Sequence, residues 1–516
     1  MQARLVVVLL SFATGAEASD WYVGPSGDDA GPGTEDAPFA TLQRAAESAV
    51  VPGDRVFVLP GRYAQVVEIR AHGAQDAPIV WNGGGGDTRA IVDGEGLDLP
   101  EGTPLVSVVG SSHVVVGGLR VEHALQGPGI FVGDSADVVV EDNETYDTYS
   151  SGIGVWGGER VAVVRNEIEL ACNFSCEGCG LQETLTIADT DSFEVADNRV
   201  HDTGGDGGGG GEGINVKGGA TDGRIHGNVV YATYASGPWR VGIHVNPWDG
   251  DAHDIEIYAN RIFDLPEAHG IVVSDEGPPG GRLERVRVFN NVAYANAFVG
   301  VLVAEWGEAD LADVQVLNNT LVGNGEPIWG GGISVTNDGA LDVVVRNNIA
   351  SGNRSFQIAS PRTPPGLLID HNLVDGFRGK EGETRGDDAM EADPMFVDAA
   401  AGDFHLREGS LAVDAASSDG APGDDFDGWA RPVGAGWDIG AFELGAGPEP
   451  DAGAAGDGGA DAGSDPGDDP GTRSAASGCG CTIAHAAPGA ADGFAWIAVG
   501  ACLAVAVWRC GTLRRT

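Results

Sequence analysis

Apolar and polar positions recur along this chain in register with asparagine. Nine asparagines follow one another at intervals of 23 to 32 residues: Asn143, Asn166, Asn198, Asn228, Asn260, Asn291, Asn319, Asn348 and Asn372. A valine or isoleucine stands three residues before each of them, and the position five residues before is apolar except at Gly223. Two apolar residues separated by one, mostly β-branched, are typical of a strand with one buried face. Each repeat is therefore predicted to contain a short strand that ends beside its asparagine.

A second strand marker, glycine followed by a β-branched residue, any residue and valine, precedes most of these asparagines. It occurs at Gly129–Val132, Gly152–Val155, Gly213–Val216, Gly242–Val245, Gly270–Val273, Gly300–Val303 and Gly332–Val335. A unit with at least two short strands and a turn cannot bury its own apolar face, so it must stack on copies of itself. The interval is too short for propeller blades and the leucine pattern of leucine-rich repeats is missing. The pattern thus predicts an all-β, right-handed parallel β-helix of about ten or more rungs.

The asparagines and one amphipathic segment complete this prediction. We expect the asparagines to lie at the turns, where they tolerate left-handed backbone, and to stack into a hydrogen-bonded ladder. The ends of the stack expose strand edges that must be covered. Phe39 to Val50, with Thr41 as N-cap and an apolar face that includes Leu42 and Ala45, is predicted to be a helix that caps the first rung.

Both ends of the chain resemble sorting signals. Arg4, the apolar run from Leu5 to Leu10 and Ala16-Glu17-Ala18 are typical of a secretory signal peptide. Gly478 to Cys481, an apolar stretch from Phe494 to Trp508 and a final group of arginines resemble the MYXO-CTERM sorting tail. That resemblance implies processing by a sorting protease, membrane attachment through the tail before processing, and display at the cell surface or outer membrane or release. A plain C-terminal membrane anchor is the alternative.

These features divide the chain into six segments. We predict a signal peptide (1–19), an N-terminal cap with the first rungs (20–118), the parallel β-helix (119–375), a closing module (376–444), an acidic Gly/Ala/Asp/Pro linker (445–478) and the sorting tail (479–516). The formal net charge of −48 repels nucleic acid, so we expect no nucleic-acid partner. Outside the tail the cysteines are Cys172, Cys176 and Cys179, for which one disulfide with one thiol left over is expected, with a metal site as the alternative.

The two ends of the predicted β-helix carry a family resemblance. Trp21-Tyr22-Val23, Ala37 to Leu42 and Pro60-Gly61-Arg62-Tyr63 resemble the start of exported β-helix proteins of the pectate-lyase-like superfamily. Asp393 to Asp398, with Asp438 to Glu443, resembles the closing module that such proteins often carry. The resemblance implies the fold and leaves the function open, because this superfamily includes lyases, hydrolases, epimerases and proteins with no known activity.

Candidate chemistry lies on the outward positions of the Gly-Ile-x-Val strands, since that face is the usual ligand groove of the fold. With the β-branched residues inward, polar side chains point outward on two consecutive rungs, where Asn215 should lie beside His244 and Lys217 beside Asn246. Glu212 or Asp249 should be within reach of these four residues, which we expect to share one solvent-facing patch. Trp239, Trp248 and Trp306 are predicted to offer flat apolar faces to sugar rings.

Two enzymatic functions fit this set. In a lyase, Lys217 removes the proton beside a uronate carboxylate. Gly213 to Gly219 is similar to the catalytic-lysine strand of family 9 pectate lyases, but their Asp-Asp-x-x-Asp calcium motif is absent from the neighbouring rung. Nearby carboxylates would keep Lys217 protonated, so a base role needs Ca²⁺ on Glu212 or Asp189. In a hydrolase, Glu212 and Asp249 are the nearest pair of carboxylates, and His244 is the remaining catalytic candidate.

A third, non-enzymatic function is a glycan-binding or structural surface protein, which the tail and the acidic linker favour. Each singled-out side chain also has a structural interpretation, such as Lys217 paired with Glu212 on a solvated surface. We expect extracellular polysaccharide as the partner and a monomeric chain. Ca²⁺ is the one cofactor that these residues suggest, and nothing in the sequence requires it.

Overall fold

The structure is a computed structural model that describes residues 17–173, 182–204, 210–232 and 240–445. The predicted signal peptide apart from its last residues, the linker from residue 446 and the sorting tail lie outside this range, as do Cys176, Cys179 and Trp239. Among the described residues, no helix has the length and hydropathy needed to cross a bilayer.

The first half of the described chain contains one α-helix, α1 (Leu42–Ser48), a 3₁₀ turn (Gly86–Thr88) and strands β1 to β18. The strands are β1 (Asp20–Val23), β2 (Arg55–Val58), β3 (Arg62–Tyr63), β4 (Val67–Ile69), β5 (Ile79–Asn82), β6 (Ala90–Asp93), β7 (Val106–Val109), β8 (Ser112–Gly117), β9 (Leu119–Ala124), β10 (Ile130–Glu141), β11 (Glu144–Thr148), β12 (Ile153–Val164), β13 (Glu167–Glu169), β14 (Gln182–Asp191), β15 (Glu194–Ala196), β16 (Arg199–His201), β17 (Gly210–Lys217) and β18 (Thr221–His226).

The second half continues the same pattern and adds a 3₁₀ turn (Ala399–Ala401). Its strands are β19 (Val229–Tyr231), β20 (Arg240–Val245), β21 (Ala252–Tyr258), β22 (Arg261–Phe263), β23 (Ala268–Ser274), β24 (Arg282–Phe289), β25 (Val292–Tyr294), β26 (Val301–Ala304), β27 (Asp310–Leu317), β28 (Thr320–Val322), β29 (Gly331–Val335), β30 (Leu341–Arg346), β31 (Ile349–Ser351), β32 (Phe356–Ala359), β33 (Leu368–Asp370), β34 (Leu373–Asp375), β35 (Met390–Glu391), β36 (Phe396–Asp398) and β37 (Asp403–Leu406).

These strands wind into a right-handed parallel β-helix with three faces. Two of the faces belong to one 22-stranded sheet, because the long strands β10 and β12 continue from one face into the other. A 13-stranded sheet forms the third face. We call the face that contains β14, β17, β20, β23 and β26 face A, and the face that contains β15, β18, β21 and β24 face B. One rung is β20, β21 and β22, which contribute the fully buried Ile243, Ile257 and Ile262 to the core. The predicted fold class is confirmed.

The asparagine ladder forms as predicted, but its backbone differs from the prediction. All nine asparagines are buried, and each accepts hydrogen bonds from or donates them to its neighbours along the stack. For example, Asn260 Oδ1 accepts from Asn228 N and Nδ2, both at 3.0 Å. The left-handed residue is the one before the ladder asparagine, such as Ala259 with φ 51° or Asn290 with φ 52°. The prediction of left-handed backbone at the asparagines themselves is wrong, because their amides must point inward to bond the next rung.

Glycine opens the face A strands for a steric reason. A Cβ added to Gly242 would lie 2.7 Å from the carbonyl oxygen of Gly270 on the next rung, and one added to Gly213 would lie 2.5 Å from that of Gly242. Because a side chain cannot fit between successive rungs there, glycine precedes the inward isoleucine in rung after rung. This contact explains the recurrence of the Gly-Ile-x-Val marker.

Helix α1 covers the N-terminal end of the β-helix, and the segment that contains β36 and β37 packs along its side. Helix α1 packs on β1 and β4, and Thr41 Oγ1 accepts a hydrogen bond from Arg44 N at 3.2 Å, which confirms the predicted N-cap. In the C-terminal part of the described chain, β36 and β37 pair antiparallel. The residues after β37 contact the turns beside the asparagine ladder. There, Asn318 Nδ2 donates to Asp438 O at 3.0 Å and Gly440 N donates to Asn347 O at 2.8 Å.

Candidate functional site

The candidate site lies on the outer side of face A, on the rungs that contain β14, β17, β20 and β23. Ile214, Val216, Ile243 and Val245 point into the core and are fully buried. Alternation along the strand turns Asn215 and His244 outward, and the predicted pairing of Asn215 with His244 is confirmed by the register. Val216 pairs with Val245, which is the last residue of β20. Lys217 and Asn246 each follow one member of this pair, so they occupy equivalent positions on adjacent rungs.

A buried ion pair joins the rungs of β17 and β20. Glu212 Oε1 lies 2.9 Å from His244 Nδ1, and Glu212 Oε2 accepts a hydrogen bond from Asn215 Nδ2. Burial by itself would raise the pKa of Glu212 and lower that of His244. The contacts between the two groups outweigh burial, so the pKa of Glu212 is lowered and that of His244 is raised. The pair therefore favours a glutamate anion beside an imidazolium.

The other side of the His244 ring faces β23. His244 Nε2 lies 2.8 Å from Ser274 Oγ and 3.9 Å from Glu276 Oε2. Burial raises the pKa of Glu276, with the carboxylate of Glu212 adding to the effect and His244 opposing it. The imidazole thus lies between two glutamates whose pKa values are shifted in opposite directions.

Lys217 belongs to the same cluster but has a different partner from the expected one. Its Nζ lies 2.6 Å from Glu183 Oε1 and 5.3 Å from the centre of the Trp156 ring. Glu183 is paired with Glu212 across β14 and β17. Burial raises the pKa of Glu183, Lys217 opposes this and Glu212 adds to it. In the alternative, structural interpretation Lys217 pairs with Glu212, but its partner is Glu183, because Glu212 is directed towards β20 and contacts His244.

The four predicted ligand-groove residues come together, but they do not form a solvent-facing patch. Asn215, His244 and Asn246 are at most 3% exposed, and the Lys217 side chain is 13% exposed. Asn246 Nδ2 lies 3.4 Å from Asn215 Oδ1, so the polar groups of this row satisfy one another. The predicted exposure is wrong, because the outer side of face A is covered by side chains from later rungs, such as Trp306.

The remaining predicted residues differ in exposure and in their contacts with the cluster. Asp249 is exposed in the turn after β20, and the carboxylate that His244 faces on its second side is Glu276, not Asp249. Trp248 is 57% exposed and its backbone N donates to Asn246 Oδ1 at 3.2 Å. The half-buried Trp306 presents its ring edge-on to His244 with centroids 5.2 Å apart. Trp239 lies outside the described residues.

The residues suggested for Ca²⁺ do not fit a shared ion. Glu212 pairs with Glu183 and Lys217 with Ala188, so Asp189 follows Glu183 by six residues along β14. Six residues of strand span about 20 Å, which is far beyond the reach of two ligands of one ion. Asp189 is exposed, and its Oδ1 accepts from Gly219 N at 2.9 Å. Within the described ranges, the group of three side chains placed to hold a metal is Asp93, Glu122 and His123, where Arg62 already contacts both carboxylates.

Sequence reasoning missed Glu183, Ser274 and Glu276 as members of this cluster. Strict alternation from Ile214 assigns Glu212 to the inner face, and the same holds for Glu183 before Leu185. Both side chains nevertheless reach the outer cluster, where Glu183 contacts Lys217 and Glu212 contacts His244, and the residue pattern carries no mark of this break in alternation. Alternation places Ser274 on the outer side of β23, but a lone serine carries no signal for a role beside histidine.

Cys172 lies near this cluster, since the carboxylates of Glu183 and Glu212 add to the rise that burial causes in its pKa. It is a free and fully buried thiol, and burial raises its pKa, so the thiolate is suppressed. Cys176 and Cys179 lie outside the described residues, so the predicted disulfide within this group of three cysteines stays a prediction.

Comparison with known proteins gives a family match, similar protein sequences and similar solved structures. A family model described as the Pel9A-like right-handed β-helix region matches residues 21–235, a range that includes β17 and Lys217. The uncharacterized protein YwoF of Bacillus subtilis (strain 168) is 26% identical over 456 residues, which are 76% of this chain and 91% of that protein.

A characterised relative and two solved structures are also similar. Pectate lyase PEL9 of Emericella nidulans is 28% identical over 205 residues, and the chain spans about half, 49%, of that protein's length. The structure of XylC in complex with xylose covers 82% of this chain with a TM-score of 0.50 and 12% identity. The structure of pectate lyase Pel9A covers 83% of the chain with a TM-score of 0.49 and 16% identity. The likeness to XylC agrees with the parallel β-helix architecture.

Proposed function

We propose that this chain, whose residues 21–235 match the Pel9A-like β-helix family and support its place in the pectate-lyase-like superfamily, cleaves acidic polysaccharide by β-elimination. The observation that carries the proposal is the position of Lys217 on β17. Its ammonium group is held between Glu183 and the Trp156 ring, at the edge of a cluster of carboxylates and cations. The relative PEL9, a pectate lyase, is similar to part of this chain.

In a β-elimination, a base takes the proton beside the uronate carboxylate while a cation neutralises that carboxylate. Lys217 is the proposed base. Its Nζ lies 2.6 Å from Glu183 Oε1, so this ion pair must separate and the ammonium group must give up its proton before Lys217 can act as a base. The proposed electrostatic partner is Arg240, the buried first residue of β20. Burial lowers its pKa, and the carboxylate of Glu212 opposes this effect.

A specific observation favours hydrolysis as the second candidate. Glu212 and Glu276 lie on opposite sides of His244, with the pKa of Glu212 lowered and that of Glu276 raised. Two carboxyl groups whose pKa values are driven apart match the roles of an ionised base and a protonated acid in a glycosidase. In this function Glu276, whose side chain is 35% exposed, protonates the leaving oxygen.

One assay separates these functions. Purified protein is incubated with a panel of uronate-containing and neutral polysaccharides, and both new reducing ends and the ultraviolet absorbance of unsaturated uronate are followed. The lyase proposal expects the two signals to rise together on uronate polymers. Reducing ends without the absorbance indicate the hydrolase. Retention of a polysaccharide without either signal indicates a glycan-binding protein, and no signal on any polymer contradicts the proposal.

We also propose that the protein is exported and displayed at the cell surface or outer membrane. The support is the N-terminal apolar run and the Gly-Cys, apolar and Arg-rich tail from Gly478. A chain that ends at Ser477 should be found in the medium, whereas the full chain should fractionate with the envelope. Identical fractionation of the two would rule out a sorting role for the tail.

A further inference from the structure

Lysine is rare in this chain, and one of its two lysines lies in the candidate site. Lys217 and Lys380 are these two, and every other basic residue among the 29 is an arginine. Arginine stays protonated in proteins, whereas a lysine that is shielded from water can release its proton and act as a base. The lysine at position 217 is therefore an exception to the use of arginine elsewhere, and it fits the proposed base.

Two carboxylates stand close to this lysine. Glu183 of β14 and Glu212 of β17 are paired across adjacent rungs, and Lys217 ends β17. Paired residues on neighbouring strands lie about 5 Å apart, so both carboxylates are in range of the same ammonium group. Two carboxylates around one ammonium group would hold its proton more tightly than one. In the structure, Lys217 Nζ contacts Glu183 Oε1 at 2.6 Å.

Glu212 is bound from another direction. Its Oε1 lies 2.9 Å from His244 Nδ1 on β20, and its Oε2 accepts a hydrogen bond from Asn215 Nδ2. Both oxygens of this carboxylate thus have partners other than Lys217. The contact with His244 directs the carboxylate towards β20, whereas Lys217 extends to Glu183 on β14.

The His244 ring is fixed in this orientation by its other neighbours. His244 Nε2 lies 2.8 Å from Ser274 Oγ, and the Trp306 ring packs edge-on against the imidazole with centroids 5.2 Å apart. The ring is fully buried. It cannot turn its Nδ1 away from Glu212 without breaking these contacts, so β20 and β23 determine where the Glu212 carboxylate lies.

We propose that His244 is a positioning residue for the base, which draws the Glu212 carboxylate away from Lys217 and leaves Glu183 in contact with the ammonium group. This inference rests on the proposed function, in which Lys217 is the base. It adds a residue that acts on the base through Glu212 and does not touch the substrate.

Two further charged groups face this network from neighbouring strands. Glu276, which follows β23, lies 3.9 Å from His244 Nε2, on the side of the ring opposite to Glu212. Arg240, the first residue of β20, is buried, and its charge interacts with that of Glu212. Both groups are kept in every variant of the test, so they do not account for differences between the variants.

The test follows the Lys217 side chain directly, in the full chain labelled with isotopic lysine. The two lysines give two sets of side-chain NMR resonances, which Lys217→Met assigns. The exposed Lys380, whose Nζ is 2.9 Å from Ser355 Oγ, is the internal reference. The pH midpoint of the Lys217 resonance should be about one unit higher in His244→Gln than in the wild type, because the released Glu212 carboxylate then also faces the ammonium group.

The matched control is His244→Asn. The amide nitrogen of asparagine lies near the place of imidazole Nδ1, so this variant keeps a donor for Glu212, whereas that of glutamine lies near the place of Nε2 and keeps a donor for Ser274. The midpoint in His244→Asn should therefore stay near that of the wild type. Asn215→Ala, which frees Glu212 Oε2 alone, should give a smaller rise, and it replaces His244→Gln if that variant does not fold.

Removal of Glu212 distinguishes positioning from a general effect on the fold. Glu212→Gln should change the Lys217 midpoint little in the wild type, because the carboxylate is already bound to His244. In His244→Gln the same substitution should return the midpoint to near the wild-type value. The rising limb of kcat/KM against pH on a uronate polymer should shift with these midpoints. A merely structural role of His244 would lower the thermal midpoint without this reversal.

The outcomes separate this role from the proposed function. An unchanged midpoint in His244→Gln, an equal rise in His244→Asn, or a rise that Glu212→Gln does not reverse would overturn the positioning role, while unsaturated products from the wild type would still support the lyase. The expected shifts in a protein that releases no unsaturated product would support the positioning of Glu212 and overturn the lyase. Unchanged midpoints together with the absence of product would overturn both.

Discussion

Glu212 and His244 lie on adjacent rungs of face A, and Glu212 Oε1 is 2.9 Å from His244 Nδ1 in a fully buried setting. Buried ion pairs are costly to desolvate, and breaking one by removing a single partner is strongly destabilising. Here the second imidazole nitrogen also has a partner in Ser274 Oγ at 2.8 Å. The arrangement therefore ties three consecutive rungs together at the point where the proposed chemistry takes place.

The first prediction concerns pH. The lowered pKa of Glu212 stabilises the fold above its ordinary value of 4.5, and this is lost as pH falls through the lowered pKa. The raised pKa of His244 stabilises the fold below its ordinary value of 6.5, and this is lost as pH rises through the raised pKa. The thermal midpoint of the wild type should exceed that of Glu212→Gln by the largest amount between pH 4.5 and pH 6.5. This difference should become smaller in alkaline solution.

The control for this experiment is Glu194→Gln, which breaks a more exposed pair of Glu194 and His226 with a 3.0 Å contact. Solvent screens that pair, so its pH-dependent difference should be smaller. A difference for Glu212→Gln that is flat, or that grows above neutral pH, would show that the pair is not charged in the folded protein.

The asparagine ladder supports a second prediction. Asn228→Ala leaves Asn198 N without the acceptor it has at 2.9 Å and Val195 O without the donor it has at 2.8 Å. Leaving buried backbone groups unpaired should lower the free energy of unfolding by about 2 to 4 kcal/mol. Asn82→Ala, at an exposed asparagine that accepts from Gly84 N at 2.8 Å, should cost under about 1 kcal/mol in the same urea titration. Equal costs would mean that the ladder is not buried as described.

The third prediction tests the steric role of glycine. Gly242→Ala places a methyl group 2.7 Å from both Gly270 O and Ile262 Cγ2, so successive rungs must separate. We expect a loss of about 1 to 3 kcal/mol in the free energy of unfolding. Gly423→Ala, where a Cβ meets nothing within 4 Å, is the matched variant and should be neutral. A Gly242→Ala protein as stable as the wild type would exclude this explanation of the Gly-Ile-x-Val marker.

The fourth prediction addresses the core. Val288 is fully buried between Ile257 and Val316 on face B, so Val288→Asp buries a charge without a partner. We expect loss of the cooperative thermal transition and of most soluble protein, whereas Val50→Asp, at a residue that is 52% exposed, should behave like the wild type. A soluble Val288→Asp protein that melts cooperatively would contradict the register of face B.

The sequence predicts the fold better than the site, and particular residues show why. The repeat of Asn228 and Asn260 and the β-branched residues three positions earlier define the strands, because burial of one face leaves a period of two in the sequence. The same period also predicts that Asn215 lies beside His244.

Exposure and partner choice could not be predicted in the same way. Trp306, which follows a strand two rungs away, covers His244. Glu183 forms an ion pair with Lys217 from β14, and the register shift between β14 and β17 leaves no mark in the residue pattern. Such contacts depend on side chains 30 or more residues apart whose directions follow from packing rather than from alternation.

The proposed chemistry is tested most directly by the masses of the products that the wild type and Lys217→Met release from an acidic polysaccharide. Elimination yields unsaturated oligosaccharides that are one water molecule lighter than the products of hydrolysis. The wild type should release these unsaturated products. Lys217→Met, assayed well below its own thermal midpoint because Glu183 loses its cationic partner, should release them at least about a hundredfold more slowly. Saturated products from the wild type, or equal rates from the two proteins, would contradict a lyase whose base is Lys217.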